Sequence, residues 1–290
     1  MGASAFPQHA TEKKEHSFDS RAERGATFRA LHYRDGAFIL PNPWDIGTAR
    51  LLAHLGFETL ATTSAGFAAS VGRRDYAVTR DEMIAHVAVI AAATSLPVSA
   101  DLQNGFGDAP EDAAETIRKA AEAGAVGGSI EDSTGKPDQP IHEFEFAVER
   151  IRAACEAARA LSFPFTLTAR CENYLNGKPD LKDTIRRLQA YQDAGADVLY
   201  APGIVRKEDI TAVVRSVDRP VNVLAGLPGL EMNRAKLAAL GVKRISIGSG
   251  LSRAALSAFL RAASEMREHG TFTFAENTLM LSEIGAMFPE

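Results

Sequence analysis

The chain has 290 residues, 46% of them hydrophobic and 24% charged, a globular composition that excludes global disorder, collagen and low-complexity classes. Lys+Arg is 32 against Asp+Glu 37, a net charge of −5, which argues against nucleic acid or an anionic membrane as the main partner. The two cysteines, Cys155 and Cys171, are too few for an all-cysteine zinc site or a disulfide framework, so a reducing, cytoplasmic setting is expected.

Residues 1–21 are polar, lack the apolar stretch of a secretory signal and read as a flexible arm. No later window approaches the roughly 18 apolar residues of a membrane span. From Phe38 onward, short apolar runs alternate with amphipathic stretches. The runs predict eight strands, at 38–40, 59–62, 97–100, 125–130, 165–169, 198–200, 221–224 and 244–247. Between them, helical periodicity covers 47–54, 80–93, 110–123, 143–160, 181–194, 207–217 and 230–240, and a last helix runs from about 250 to 269. Several helices end in a glycine just before the next strand, as in HLGFETL, EAGAVGGSI, DAGADVLY and ALGVKRISI. Eight β/α units in one chain predict an α/β fold, a (β/α)8 TIM barrel over residues 22–270. A doubly wound open sheet is the alternative, but it wants a Gly-rich phosphate turn after strand 1, where PNPWDIG stands instead. The tail, 271–290, carries Phe272, Phe274, Leu279, Met280, Leu281 and Ile284, enough apolar surface to predict docking on the barrel or on a neighbouring subunit.

The active site of such a barrel lies at the carboxyl ends of its strands. Asn42-Pro43-Trp44-Asp45 follows strand 1 and Thr63-Ser64-Ala65-Gly66 strand 2. Asp101-Leu102-Gln103-Asn104-Gly105-Phe106-Gly107-Asp108 follows strand 3, Glu131-Asp132-Ser133 strand 4, and Arg170-Cys171-Glu172-Asn173 strand 5. Carboxylates at Asp45, Asp101 and Glu131/Asp132 converging on one mouth would repel one another, and a hard divalent cation resolves that conflict. Arg170 suits a substrate carboxylate, and the small Thr63–Gly66 segment offers N–H groups for an oxyanion. Plainer roles exist for several of these residues. Asp45 stands where it would cap a helix, Asp108 reads as a cap, and Arg170 alone would serve as an ion-pair partner. Serine–histidine catalysis has little support, since none of the seven histidines follows a strand. His142 reads as either a lid residue or an ordinary residue at a helix start.

The segments PNPWDIGTARLLAHLGFETLATTSAG, GRRD, DLQNGFG, SIEDS and ARCEN resemble the phosphoenolpyruvate mutase/isocitrate lyase superfamily, over about residues 27–262. Among its members the chain looks most like the small stand-alone ones. The resemblance implies magnesium, with manganese as a substitute, held at Asp101 and Glu131, with Gln103 at the second acidic position of the metal loop. It implies Arg170, Thr63, Ser64 and Ala65 on the substrate, Trp44 and Asp45 lining the same pocket, Asp75 on a mobile gating loop, and Glu172 ordering the site. It further implies a last helix exchanged between subunits, as tetramers or dimers. Two departures stand out. Residues 133–141 read STGKPDQPI, without the cysteine of the Lys-(Lys/Arg)-Cys-Gly-His segment, and Gln103 is neutral. The implied activity is a magnesium-dependent lyase or decarboxylase on a small 2-oxo or 2-hydroxy dicarboxylate. Phosphonate chemistry and non-catalytic 2-oxo acid binding are the alternatives.

Overall fold

The computed structural model describes residues 20–288, so the expected arm lies almost wholly outside the described residues. Eight parallel strands run β1 (Phe38–Leu40), β2 (Leu60–Ala61), β3 (Val98–Asp101), β4 (Gly127–Glu131), β5 (Thr166–Arg170), β6 (Val198–Tyr200), β7 (Val221–Leu224) and β8 (Arg244–Ser246). They form one sheet in the order β1-β8-β7-β6-β5-β4-β3-β2. Between β1 and β2 the ring is drawn together by the Ala61 N–H on the Pro41 carbonyl, 3.0 Å, and by the Asn42 amide on the Thr62 carbonyl, 2.9 Å. The result is the expected α/β architecture, a nearly closed (β/α)8 TIM barrel.

The helices are α1 (Arg21–Leu31), α2 (Ile46–His54), α3 (Ser64–Ser70), α4 (Arg80–Ala93), α5 (Pro110–Glu122), α6 (Phe144–Arg159), α7 (Leu181–Ala194), α8 (Lys207–Arg215), α9 (Arg234–Ala239), α10 (Gly250–His269) and α11 (Leu281–Gly285). Most begin on a side-chain cap. Thr79 and Glu82 form a reciprocal capping box on α4, and Asp180 accepts from Asp183 N–H at the start of α7. The main core lies between sheet and helices, built from residues such as Met83, Ile117, Ile151, Leu167, Leu188 and Leu199.

Of the helices before the tail, two have no counterpart in the periodicity. α1 carries Phe28 and Leu31 against Phe38, Leu40, Ala61 and Val126. α3 is a single short stretch directly after β2, too brief to show a period. A third difference is Asp108. It caps nothing: Asp112 accepts the Ala109 N–H at the start of α5, and Asp108 pairs instead with Lys136 at 2.6 Å.

Candidate active site

Register places the chemistry. In the β4–β5 ladder Glu131 lies opposite Arg170, in β5–β6 Arg170 lies opposite Tyr200, and Asp101 ends β3 opposite Ser129. Acid, guanidinium and phenol are therefore lateral neighbours at the same end of the barrel. They line a cavity of about 280 Å³ together with Thr63, Ser64, Ala65, Asp75, Tyr76, Glu172, Leu175, Asn176, Leu224, Gly248 and Ser249.

Arg170 is the hub. Its Nη1 lies 3.1 Å from both Asp101 Oδ1 and Glu131 Oε2, while its Nη2 and Nε reach Glu172 Oε1 at 2.7 and 2.9 Å. The guanidinium carbon sits 5.1 Å from the Tyr200 ring centroid. Burial works against its charge, but Glu131, Glu172 and Asp101 outweigh burial and raise its pKa well above the ordinary arginine value. Burial also raises the pKa values of Glu131 and Glu172, against the pull of Arg170. Burial and then the Asp101 charge raise that of Asp75.

The β2–α3 junction supplies the opposite wall. Asp101 Oδ2 accepts from both the Ser64 N–H and its hydroxyl, each at 2.9 Å, and the Thr63 hydroxyl accepts the Gly66 N–H as the cap of α3. Of the first-turn N–H groups expected to face an oxyanion, Ser64 and Gly66 are thus engaged within the protein. Ala65, on the cavity wall, keeps its N–H.

Other expectations resolve differently. Trp44 and Asp45 do not line this cavity. Asp45 Oδ1 accepts from Thr48 N–H at 2.7 Å in a capping box on α2, and the Trp44 N–H donates to the Thr48 hydroxyl. Glu131 and Asp132 diverge because adjacent strand residues face opposite sides. Asp132 is buried behind β4, accepting from Tyr191 Oη at 2.6 Å, Arg187 Nη1 at 3.2 Å and Glu172 N–H at 2.8 Å. Gln103 donates its amide to Asp75 Oδ1 at 2.8 Å. His142, which directly follows the 133–141 loop, is buried, its pKa lowered to about 4 by burial and then by Arg150. Cys171 is fully buried, and burial pushes its thiol well above the ordinary value, so it offers no thiolate.

Sequence reasoning missed Tyr200, although it ends a strand like the others. It also singled out no role for Tyr76. That phenol reaches in from the loop after α3 and donates to Glu131 Oε1.

A family model described as phosphoenolpyruvate phosphomutase matches residues 28–267. The chain belongs to this family. A crystal structure from Burkholderia cenocepacia, provisionally named a lyase/mutase, is 63% identical with a TM-score of 0.91, covering 94% of this chain and 98% of that one. An uncharacterized protein of Mycobacterium tuberculosis is 33% identical over 82% of this chain and 87% of its own length. The oxaloacetate decarboxylase of Paraburkholderia xenovorans is 30% identical over 84% of this chain and 82% of its own. A phosphonopyruvate hydrolase solved with oxalate and Mg²⁺ is 25% identical, TM-score 0.79, covering 91% and 94%. Membership of the phosphomutase family brings lyase and mutase chemistry on small oxo acids into view. In this phosphomutase-family chain the 133–141 segment is a loop closed by an antiparallel bridge between Ser133 and Ile141 and tied to the loop after β3 through Lys136–Asp108.

The donor set at the mouth fits a divalent cation by charge. Asp101, Glu131 and Glu172 contact one guanidinium and Asp75 lines the same cavity, so acidic groups outnumber the cation, and a second positive charge would favour their ionised forms against burial. Among the described residues no three Asp, Glu, His or Cys side chains stand close enough to chelate an ion directly. Contact through water, as magnesium prefers, suits this spacing.

Proposed function

We propose that the protein is a magnesium-dependent carbon–carbon lyase or decarboxylase acting on a small 2-oxo or 2-hydroxy dicarboxylate. The observation that carries this reading is the convergence of Asp101, Glu131 and Glu172 on Arg170 at the carboxyl end of the barrel, beneath Asp75. Asp101 and Glu131 would hold the ion through water, where it supplies Lewis-acid stabilisation of an enolate-like charge. Arg170 has one N–H left on Nη2 beyond its carboxylate partners. It therefore orients the substrate carboxylate at one point while fixing the acids around it. The Ala65 N–H adds a fixed dipole on the wall of Ser64 and Asp101. The loop bearing Asp75 and Tyr76 keeps water from the reacting carbon. Decarboxylation requires no proton donor to the departing carbon dioxide, so it tolerates the missing thiol.

Purified protein with Mg²⁺ and oxaloacetate, dimethylmalate or methylisocitrate should release pyruvate. No pyruvate above the rate of an Asp101→Ala variant rejects the reading. Asn176, an amide on the cavity wall, favours phosphonate chemistry as the second reading, and a ³¹P spectrum with phosphonopyruvate separates the two. The partner chemistry is accordingly a small carboxylate or 2-oxo acid. The exposed apolar side chains of the last helix and tail further support a homo-oligomer, a tetramer or a dimer, formed through that helix.

A further inference from the structure

Gln103 sits where the resemblance puts an acid of the metal loop, and the geometry assigns it another task. We propose that Gln103 is the receptor for the gating loop and that, with the Tyr76–Glu131 hydrogen bond, it latches the lid shut over the mouth. The inference rests on the same cavity as the proposed function but not on turnover.

Three observations carry it. First, the Gln103 amide is aimed at the lid. The residue is 4% exposed, its backbone carbonyl accepts the Glu131 N–H at 3.0 Å, and its Nε2 donates to Asp75 Oδ1 at 2.8 Å. The same Asp75 oxygen accepts the Tyr76 N–H at 3.0 Å, so one carboxylate both shapes the lid and fastens it. Second, the next lid residue makes the second fastening, Tyr76 Oη to Glu131. The two bonds tie the lid to the ends of β3 and β4, which the Gln103–Glu131 backbone bond already joins. Third, the backbone is bent to make them. Gln103 at φ 48° and Tyr76 at φ 63° are two of the three non-glycine residues with positive φ among the described residues. That conformation persists in a bulky side chain only where its surroundings impose it.

Charge explains the residue choice. An acid at position 103 would face the Asp75 carboxylate across hydrogen-bond distance and repel it. An amide donates to it instead. On this account the neutral side chain exchanges one unit of metal-site charge for a closed lid.

Trypsin reports the lid directly, because Arg73 and Arg74 lie in its exposed stretch. Cleavage after either should run about ten-fold faster in Gln103→Glu than in wild type, the effect of losing one hydrogen bond to a charged group. The double variant Gln103→Glu/Asp75→Asn restores a donor–acceptor pair in the reverse sense but gives up the Tyr76 N–H contact at that atom, so cleavage should return part of the way toward the wild-type rate. Thermal melts of each variant show whether the barrel is intact. If Gln103→Glu unfolds, Gln103→Leu, which keeps bulk without the donor, is the measured variant and should also speed cleavage. Unchanged cleavage in an intact Gln103→Glu protein, with tighter Mg²⁺ binding by calorimetry, would overturn the latch and make position 103 a metal-site residue. Because no substrate enters the assay, failure to find turnover leaves this result standing, and the reverse also holds.

Discussion

His86 and His32 show how a buried ionisable residue couples the fold to pH. His86 stacks on Phe67, centroids 4.0 Å apart at 11°, and burial lowers its pKa to about 4 against a weak upward pull from Asp45. His32 is lowered to about 3 by burial and then by the Arg244 guanidinium. It accepts from Arg244 through Nε2 and donates through Nδ1 to the Phe28 carbonyl. Both are neutral in the folded state, while the unfolded chain takes up protons below about pH 6.5. Their stabilisation is therefore fully present above that pH and is lost as pH falls toward the folded values, about 2 kcal/mol each by pH 5. Glu131 and Glu172, raised by burial, change with the opposite sign over part of this range, so the comparison must be between variants. His86→Phe keeps the stack, and urea melts at pH 8 and pH 5 should show a shallower acid loss than wild type. Asp132 is the opposite case, a buried acid whose Arg187, Tyr191 and Glu172 partners leave it no free role at the mouth. Asp132→Ala should cost about 3–5 kcal/mol in urea unfolding, because Arg187 and Tyr191 lose their acceptor. Arg170→Lys keeps the charge but not the fork that binds three carboxylates. It should lower kcat about 10²-fold in the pyruvate assay.

Elements hold the site through close approaches. A Cβ on Gly25 in α1 would lie 2.1 Å from the Pro164 carbonyl oxygen, and one on Gly127 in β4 would lie 2.6 Å from the Phe28 ring. The α1 helix therefore seats on the barrel only where side chains are missing. Gly127→Ala should destabilise by about 1–3 kcal/mol, read from the urea midpoint, because ring and strand must part. Gly25→Ala meets backbone rather than a movable side chain and should cost more. The loop after β3 is held from behind by a different device. Arg150 of α6, 1% exposed, donates to the carbonyls of Asn104, Asp108 and Ala109, and this buried cation thereby fixes the curve of the loop that carries Gln103. A helix and a loop distant in sequence thus set where the end of β3 points.

At the scale of the molecule, α10 has one buried residue, Ser252, and exposes Leu256, Phe259, Leu260 and Met266, followed in the tail by Phe272, Met280 and Leu281. Such a run of apolar side chains exceeds what a monomer ordinarily leaves in water. Its burial on a second copy is the occupant the proposed function calls for. Light scattering after chromatography should give an oligomer for wild type and a smaller species for Phe259→Glu/Leu260→Glu. An unchanged mass would remove α10 from the interface. No helix among the described residues is long and apolar enough to cross a membrane.

Much of this was legible in the chain. Apolar runs and Gly-terminated helices marked eight strands within a residue or two, because burial on both faces of a parallel strand leaves an unbroken apolar signature. Glu172 entered only through the family resemblance, whereas Asp101, Glu131 and Arg170 were legible as a group because a strand end is a position along the sequence. Side-chain direction and competition for partners are not. Asp45 and Asp101 both follow strands, yet one spends its carboxylate on a helix start and the other faces Arg170. Glu131 and Asp132 are neighbours that look opposite ways. Gln103 reads in the sequence as a neutral residue at an acidic position, and only the fold brings its amide against Asp75. The sequence by itself determined the barrel, which follows from periodicity, and the acids and arginine that stand at its strand ends. Only the tertiary structure decided which of those groups meet, because a hydrogen bond between residues 28 or 69 positions apart depends on how separate elements pack.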